Sequence, residues 1–312
     1  MSNRLQKLFG MVAAVVLMGI AAPADAEEIK GRIAMPDGDR SFTMMVPNGA
    51  QRGRLPVVIA LHGARAQGDQ MKSVFGLEAI AAREDFVRVY PNGHRFQWND
   101  GRRVPWGLGS YGNDVRFLKA LARQLIDNGV ADPRRVYLVG VSNGGMMTYR
   151  MACEAPDIFA AFTAVVATMP VGIAKNCRPG RGVPIQIING TNDKVLPWDG
   201  GPLGHAGQYG VLISTDDSVA FWARNNGCKR GAQRRELPDR NKVDGSRAVV
   251  EQFSDCNSGA PVVLVAIEGG GHIPPGVNSG HPYLEMIWGK PNRDVSAADL
   301  AWKFFRRFPE RL

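Results

Sequence analysis

The segment Val136–Met147 constrains the fold of this chain more than any other stretch. It begins with the apolar run Val136–Val139, typical of a buried strand, and passes through Gly140-Val141-Ser142-Asn143-Gly144 into a helical sequence. A strand that turns at once into a helix strains the central residue of the turn, and side chains two positions to either side would collide. Glycine at both positions removes the collisions. The segment predicts a sharp strand–turn–helix unit with Ser142 at its apex.

Apolar strands alternate with amphipathic helices along the rest of the chain. Pro56–Leu61, for example, is a continuous apolar run, as expected of a strand buried on both faces of a sheet. The alternation predicts an α/β fold with a mostly parallel sheet and helices on both faces, and an early hairpin adds an antiparallel N-terminal edge. The predicted strands are Ile29–Met35, Ser41–Val46, Pro56–Leu61, Phe86–Tyr90, Arg135–Val139, Phe159–Ala167, Pro184–Ile188, Ala248–Phe253 and Val262–Ile267. The predicted helices are Gln67–Arg83, Asp114–Asn128, Gly144–Glu154, Ser218–Asn226 and Ala297–Phe308.

Composition and charge exclude several classes of protein. The chain has 312 residues, of which 45% are apolar and 21% charged, as in ordinary soluble globular proteins. This composition excludes a disordered chain, a collagen-like repeat and a polytopic membrane protein. The net charge of +9 is scattered and not clustered on one face, so no nucleic-acid partner is expected. Arg102 and Arg103 are interpreted as exposed, solvated side chains in preference to partners of a substrate carboxylate.

The N-terminus has the pattern of a secretory signal. Arg4 and Lys7 precede the apolar run Leu8–Ala22, which is short for a membrane span of about 20 residues. The A-x-A pattern Ala24-Asp25-Ala26 follows, and it predicts cleavage after Ala26. The protein is therefore expected to be secreted or periplasmic, with no membrane partner once the signal peptide has been removed.

Export makes disulfides possible, and all four cysteines lie beyond the predicted cleavage site. Four cysteines allow three pairings, among which we favour the local one, Cys153–Cys177 and Cys228–Cys256. No pair has C-x₂-C spacing and no histidine neighbours them at ligand spacing, so a metal site is not expected. A lipoprotein anchor is excluded because the first cysteine is Cys153.

A serine at the apex of such a turn acts as a nucleophile when a histidine base and an orienting acid accompany it. His272, the first choice for the base, follows a predicted strand through three glycines that let the backbone change direction. His281 is the alternative base. Asp193, the first choice for the acid, lies just beyond another strand, where open α/β sheets place their sites. Asp199 is the alternative acid. The order Ser142, Asp193, His272 is that of the α/β-hydrolases.

Acyl transfer at Ser142 also needs two N–H donors for the developing oxyanion. The N–H of Asn143 lies at the N-terminus of the helix, where the positive end of the helix dipole favours a negative charge. The second donor is assigned to the N–H of Ala64, in the loop after the strand Pro56–Leu61, with Arg65 as the alternative. His62, in the same loop, is expected to be structural and not a base.

Two long loops are candidates for the walls of a substrate pocket. Pro91–Asn113 contains Trp98 and Trp106, and Pro197–Ser214 contains Trp198. Loops of this length without secondary structure are uncommon and often form lids. We predict that these tryptophans either stack on an aromatic or sugar group of the substrate or pin the loops to the body of the protein.

Several of these segments occur together in one known family. They are His62-Gly63, Gly140–Met147, Gly190-Thr191-Asn192-Asp193, Val195-Leu196-Pro197, Ser218–Trp222, Asn226-Gly227-Cys228, Gly269-Gly270-Gly271-His272 and Leu300–Phe305. On these segments the chain resembles the polyhydroxybutyrate depolymerase and feruloyl esterase family of secreted α/β-hydrolases, over about residues 29–308.

The resemblance implies a nucleophile at Ser142, an acid at Asp193, a base at His272 and a Cys228–Cys256 bridge. Together with the predicted cleavage after Ala26, it indicates one α/β-hydrolase domain over residues 27–312 behind a signal peptide at residues 1–26. The expected activity is that of an exported serine esterase acting on hydroxycinnamoyl, short-chain acyl or hydroxyalkanoate oligomer esters, with no metal or organic cofactor. Its partner is then a small-molecule or oligomeric ester, and no oligomeric state follows from the sequence.

Other functions remain as alternatives. The first is depolymerisation of polyhydroxybutyrate polymer; a secreted serine peptidase and a non-catalytic polymer-binding protein are less favoured. No Ser/Thr/Pro/Gly-rich linker appears after the expected catalytic fold, so a tethered adsorption domain is not expected, and we predict turnover of soluble esters in preference to crystalline polymer. Two positions near the site also depart from the family pattern: Ala64-Arg65 stand where members often have Cys or Ser after His-Gly, and Ile273-Pro274-Pro275 stand where they often have Thr-Trp-Pro. The family's substrate preferences therefore transfer poorly to this chain.

Overall fold

The structure is a computed structural model that describes residues 26–48, 54–102, 104, 112–278 and 282–309. All of the predicted signal peptide (residues 1–26) except Ala26 lies outside the described residues, as do Arg103, Trp106 and His281. In the part of the chain that is described, no helix has the length and apolar character needed to cross a membrane.

Ten of the described strands form one sheet, in the order β1-β2-β4-β3-β5-β6-β7-β12-β11-β10, and β8 pairs with β9 separately. The strands are β1 (Ala26–Ile33), β2 (Arg40–Pro47), β3 (Leu55–Leu61), β4 (Val87–Pro91), β5 (Ala131–Val141), β6 (Ala161–Val165), β7 (Ile185–Gly190), β8 (Gly201–Pro202), β9 (Val211–Leu212), β10 (Gln233–Glu236), β11 (Arg247–Phe253) and β12 (Val262–Glu268). The six central strands, β4 to β12 in this order, run parallel. The β1–β2 hairpin forms the predicted antiparallel edge, and β11 and β10 form a second antiparallel edge that was not predicted.

Helices cover both faces of this sheet. They are α1 (Gly68–Phe75), α2 (Leu77–Ala81), α3 (Asp114–Asp127), α4 (Asn143–Glu154), α5 (Val171–Asn176), α6 (Thr215–Asn225), α7 (Pro282–Trp288) and α8 (Ala297–Phe305). The continuous apolar run of β3 is explained by burial of this strand on both faces of the sheet. Val57 and Ile59 pack into the core cluster that contains α3, α4 and α6, whereas Val58 and Ala60 pack against α1, α2 and α8 on the opposite face.

Some elements differ from the sequence predictions. The helix predicted over Gln67–Arg83 is divided into α1 and α2, because Gly76 between them takes φ +90°, the left-handed conformation that ends a helix. The loop Pro197–Ser214 is not structureless, since β8 and β9 pair within it. Strands of two residues and helices of six or seven are too short to show a period in the sequence, so β8, β9, α5 and α7 were missed.

Two disulfides join neighbouring elements, and both match the favoured pairing. Cys153–Cys177 links the end of α4 to the end of α5. Cys228–Cys256 links the chain just after α6 to the connection between β11 and β12.

Candidate active site

The candidate residues gather where four parallel strands end. Ser142 follows β5, Asp193 follows β7, His272 follows β12, and Ala64 follows β3. The registers of the strands place Leu61 opposite Gly140, at the ends of β3 and β5. Because the carboxyl ends of parallel strands share one edge of the sheet, residues far apart in sequence meet there.

The turn at Ser142 has the strained geometry that the sequence predicted. Ser142 has φ +56° and ψ −117°, and its N–H donates to the carbonyl oxygen of Val165 at 2.9 Å. A Cβ atom at Gly140 would lie 2.1 Å from the carbonyl oxygen of Gly144, and one at Gly144 would lie 2.5 Å from that of Leu61. These are backbone contacts that cannot relax, so both positions need glycine and the serine side chain is held at the start of α4.

A chain of hydrogen bonds joins the serine to the acid. The Oγ atom of Ser142 lies 3.0 Å from Nε2 of His272, and Nδ1 of His272 lies 2.7 Å from Oδ2 of Asp193. The other carboxylate oxygen, Oδ1, accepts the backbone N–H groups of Val195 and Leu196, each at 2.8 Å. The carboxylate is buried and fixed on both sides, so it orients the imidazole with Nε2 toward the serine.

The loop that carries His272 is held by the chain beyond α7. The N–H of Gly271 donates to the carbonyl oxygen of Lys290 at 3.0 Å, which ties the glycine-rich loop to this second segment. Asp199, the rival acid, is exposed, and the carboxylate that bonds His272 is Asp193.

The structure separates the two candidates for the second oxyanion donor. The N–H of Arg65 donates to the carbonyl oxygen of Phe96 at 2.8 Å and is therefore occupied. Neither Ala64 nor Asn143 has an acceptor for its backbone N–H among the described residues, and both line a cavity beside Ser142. Ala64 and Asn143 are thus the pair available to an oxyanion.

His62 is a structural residue, as the sequence suggested. Its Nδ1 lies 2.7 Å from the carbonyl oxygen of Gly63, and its Nε2 accepts the N–H of Gly93 at 2.9 Å. Because the side chain is buried, desolvation lowers the pKa of His62 to about 4. The ring is neutral at physiological pH, with both nitrogens engaged by the backbone.

A buried polar network that was not recognised in the sequence surrounds Asn143. Its Oδ1 accepts the N–H of Trp98 at 2.8 Å, and its Nδ2 donates to the carbonyl oxygen of Trp98 at 3.1 Å and to Oδ2 of Asp100 at 2.6 Å. Asp100 pairs with Arg102 at 2.8 Å, and Arg102 Nη1 donates to the carbonyl oxygen of Tyr209 at 2.9 Å. The network connects α4 to both long loops. Asp100 has no sequence signal of its own, because its burial follows from the loop's path over α4.

The structure corrects the predicted roles of two loop residues. Trp98 is 2% exposed, its Nε1 donates to the carbonyl oxygen of His62 at 2.9 Å, and it lines neither cavity beside Ser142, so it has the second of its two predicted roles, pinning its loop to the body of the protein, and not that of a substrate contact. Arg102 is not a solvated surface residue, because its side chain is mostly buried against Asp100. Trp198 is half-buried with its Nε1 3.3 Å from Oδ2 of Asp216, and it lines neither of the cavities described next.

Two cavities open beside Ser142, and Ala64, Arg65 and Val195 line both of them. The histidine-side cavity, of 540 Å³, also contains His272 in its wall, and its apolar lining comes from Met71, Val74, Phe75, Ile273, Pro274 and Trp288. The helix-side cavity, of 440 Å³, contains the first residue of α4, Asn143, and is further lined by Gln97, Arg102, Met146, Leu196, Leu203 and Tyr209.

The central parallel sheet, the strained serine turn after β5 and the histidine after β12 define the class of the α/β-hydrolases. The sequence profile of the family described as Esterase PHB depolymerase matches residues 40–195, half of the chain. The chain belongs to this family.

Individual relatives agree with the family assignment. The chain is 29% identical over 291 residues to the NocK protein of Nocardia uniformis subsp. tsuyamanensis, covering 90% of this chain and 83% of the relative. It is 28% identical over 276 residues to feruloyl esterase C of Emericella nidulans, covering 85% and 83%. Among solved structures, acetyl xylan esterase from Aspergillus awamori shares the fold with a TM-score of 0.55 at 16% identity, covering 83% of this chain and 98% of that one. The protein is a carboxylic ester hydrolase.

Proposed function

We propose that the protein is an exported serine esterase that works through an acyl-enzyme on Ser142. Its substrates are carboxylic esters of hydroxycinnamic acids, of short-chain acids or of hydroxyalkanoate oligomers. The observation that carries the proposal is the unbroken pair of hydrogen bonds from Ser142 to His272 and from His272 to Asp193, at 3.0 and 2.7 Å. The relative named feruloyl esterase C supports the first substrate class.

In the proposed reaction, Ser142 Oγ attacks the ester carbonyl carbon while Nε2 of His272 takes the serine proton. The negative charge that develops on the carbonyl oxygen is held by the N–H groups of Ala64 and Asn143. Nε2 then returns the proton to the leaving alcohol, and the acyl group remains on the serine. Water repeats the attack with His272 as base and releases the acid. Asp193 keeps the imidazole in the tautomer that this sequence requires.

Replacement of the nucleophile tests the mechanism. We expect Ser142→Ala to lower kcat for a soluble ester by about 10⁴-fold or more, as in other hydrolases that lose one member of such a set. Ser73→Ala is the matched control, because Ser73 is exposed on α1 and its Oγ bonds only the carbonyl oxygen of Gln70 among the described residues. An organophosphonate should label Ser142 in the unmodified protein. Labelling at another serine, or near-normal turnover by Ser142→Ala, would refute the mechanism.

A second candidate function is depolymerisation of polyhydroxybutyrate. The description of the family whose profile matches residues 40–195 favours it. A clear halo on a polyhydroxybutyrate plate, at enzyme levels that barely hydrolyse soluble aryl esters, would favour this second function over the first.

Export is part of the proposal. It rests on the A-x-A pattern that ends at Ala26 and on the two disulfides, since disulfides persist in oxidising compartments.

A further inference from the structure

The position of His272 distinguishes the two cavities chemically. In the proposed reaction, Nε2 of His272 protonates the oxygen of the leaving alcohol, so the alcohol half of the ester must lie on the side of that nitrogen. His272 lines the histidine-side cavity and does not line the helix-side cavity. The alcohol half therefore enters the histidine-side cavity, and the acyl half enters the helix-side cavity beside Asn143.

The buried part of the wall of the histidine-side cavity is apolar. Met71, Phe75 and Ile273 are buried in its wall, and none of them has a hydroxyl, amide or charged group that could bond a sugar hydroxyl. Transfer of a polar group from water to such a wall without a hydrogen-bond partner is disfavoured by roughly 5- to 150-fold. A hydrocarbon group gains free energy on entering it instead.

The polar side chains of this wall, apart from the reacting groups, are either bonded to the backbone or exposed to solvent. His62 is buried with both ring nitrogens bonded to the backbone. Gln70 is exposed, and its Oε1 already accepts the N–H of Gln67 at 2.9 Å. Arg65 and Asn278 also line the cavity and are exposed. Among the described residues, the polar side chains of this wall other than Ser142, His272 and the buried His62 are thus exposed to solvent, whereas the buried part of the wall is apolar.

The apolar character continues onto the surface at the mouth of the cavity. Val74 is 56% exposed and Trp288 is 39% exposed, and both line the cavity. Helix α7, which ends at Trp288, also carries exposed Met286 and Ile287. Apolar side chains concentrated at an entrance mark a surface that meets an apolar ligand.

We infer that this esterase is selective for an apolar alkyl or aryl alcohol, bound in the histidine-side cavity, over a sugar alcohol. The inference rests on the proposed function and adds to it the chemical class of the leaving group. Val74 is then a specificity-determining residue.

A series of esters with one acid tests the inference. The substrates are methyl, butyl and hexyl butyrate and 6-O-butyryl-glucose, with hydrolysis followed by pH-stat titration. Each buried methylene contributes a factor of about three to four, so kcat/KM should rise at least about tenfold from methyl to butyl butyrate. Butyryl-glucose should be no better a substrate than methyl butyrate.

Variants locate the effect in the cavity. Val74→Asp places a charge at the mouth and should lower the ratio of kcat/KM for hexyl over methyl butyrate by about tenfold. Val243→Asp is the matched control, because Val243 is 86% exposed and lines neither cavity; the same ratio should be unchanged. Tyr209→Ala, in the helix-side cavity, should change the ratio for methyl octanoate over methyl butyrate and leave the hexyl-to-methyl ratio unaltered.

The outcomes separate this inference from the proposed function. Butyryl-glucose hydrolysed faster than hexyl butyrate would overturn the inference while the Ser142 mechanism stands. An effect of Val74→Asp on the octanoate series alone would overturn the assignment of the two cavities. No hydrolysis of any ester by folded protein would overturn the proposed function, and the inference with it.

Discussion

At the scale of single residues, the contacts of Asp100 favour an effect on the reaction by a residue outside the Ser142–His272–Asp193 set. Its buried carboxylate accepts from the side-chain amide of Asn143 at 2.6 Å and neutralises Arg102. The backbone N–H of Asn143 is one of the two proposed oxyanion donors. We therefore expect Asp100 to be a positioning residue, which acts on the reaction through the orientation of Asn143.

We predict that Asp100→Asn lowers kcat about tenfold for a short ester with little change in KM. The reason is that loss of the carboxylate leaves Arg102 unpaired and loosens Asn143, whose N–H matters most in the transition state. Steady-state kinetics and thermal unfolding measure the two effects.

Asp132→Asn is the control for a purely structural effect. Asp132 is also a buried carboxylate paired with arginine, at 2.8 Å from Arg135, but it lies at the start of β5, the end opposite Ser142. This variant should lose stability and keep kcat. If Asp100→Asn behaves in the same way, Asp100 has only a structural role.

His62 is expected to make the unfolding free energy depend on pH. Its folded pKa is about 4 against 6.5 for an ordinary histidine, so between these values the unfolded chain binds a proton that the folded protein does not. Unfolding free energy therefore rises as pH increases from 4 to 6.5, by up to about 3 kcal/mol from this residue, and falls again on acidification.

Urea unfolding at pH 4, 5 and 7 checks this expectation. His62→Gln should flatten the rise between pH 4 and 6.5, whereas His205→Gln, at an exposed histidine, should leave it intact. Equal slopes in the unmodified protein and His62→Gln would show that His62 is not the group responsible.

At the scale of elements, the parallel and antiparallel parts of the sheet have different structural roles. The six parallel strands bring their carboxyl ends together and so build the site. The antiparallel strands close the edges, and every residue of β10 is exposed in its largely charged sequence, Gln233–Glu236. Arg234 in this strand pairs with Glu268 at 3.0 Å. Charged, short edge strands resist pairing with other chains.

Connections between elements decide the shape of the pocket. The pair β8–β9 and the segment around Asp100 meet through the bond from Arg102 to the carbonyl oxygen of Tyr209. The two long loops are thereby joined over α4 and form one wall of the helix-side cavity.

At the scale of the whole molecule, export and oxidation should occur together. Expressed with its N-terminal segment in a bacterium, the protein should appear in the periplasm or medium with Glu27 as its first residue and with no free thiols. Mass spectrometry and thiol titration measure this. Protein expressed without residues 1–26 should remain in the cytoplasm with reduced cysteines, and exported protein that retains residues 1–26 would contradict the prediction.

Much of the architecture could be predicted from local sequence patterns. The glycines around Ser142 predict the strained turn, because a Cβ atom at either position would lie 2.1 or 2.5 Å from a backbone oxygen. Asp193 and His272 could be chosen because each directly follows a buried strand, and parallel strands end at a common edge whatever the length of the loops between them. Patterns of this kind depend on a few neighbouring residues.

Only the tertiary structure decided the surroundings of these groups. The donation of the Arg65 N–H to Phe96, the burial of Trp98 under His62 and the bond of Asp100 to Asn143 join residues that lie 31 to 43 positions apart. Loops have no regular period, so the sequence does not show which of their side chains face the interior. The amino-acid sequence by itself determined the α/β order, the serine turn and the three candidate residues, whereas long-range packing determined the donors and the two cavities around them.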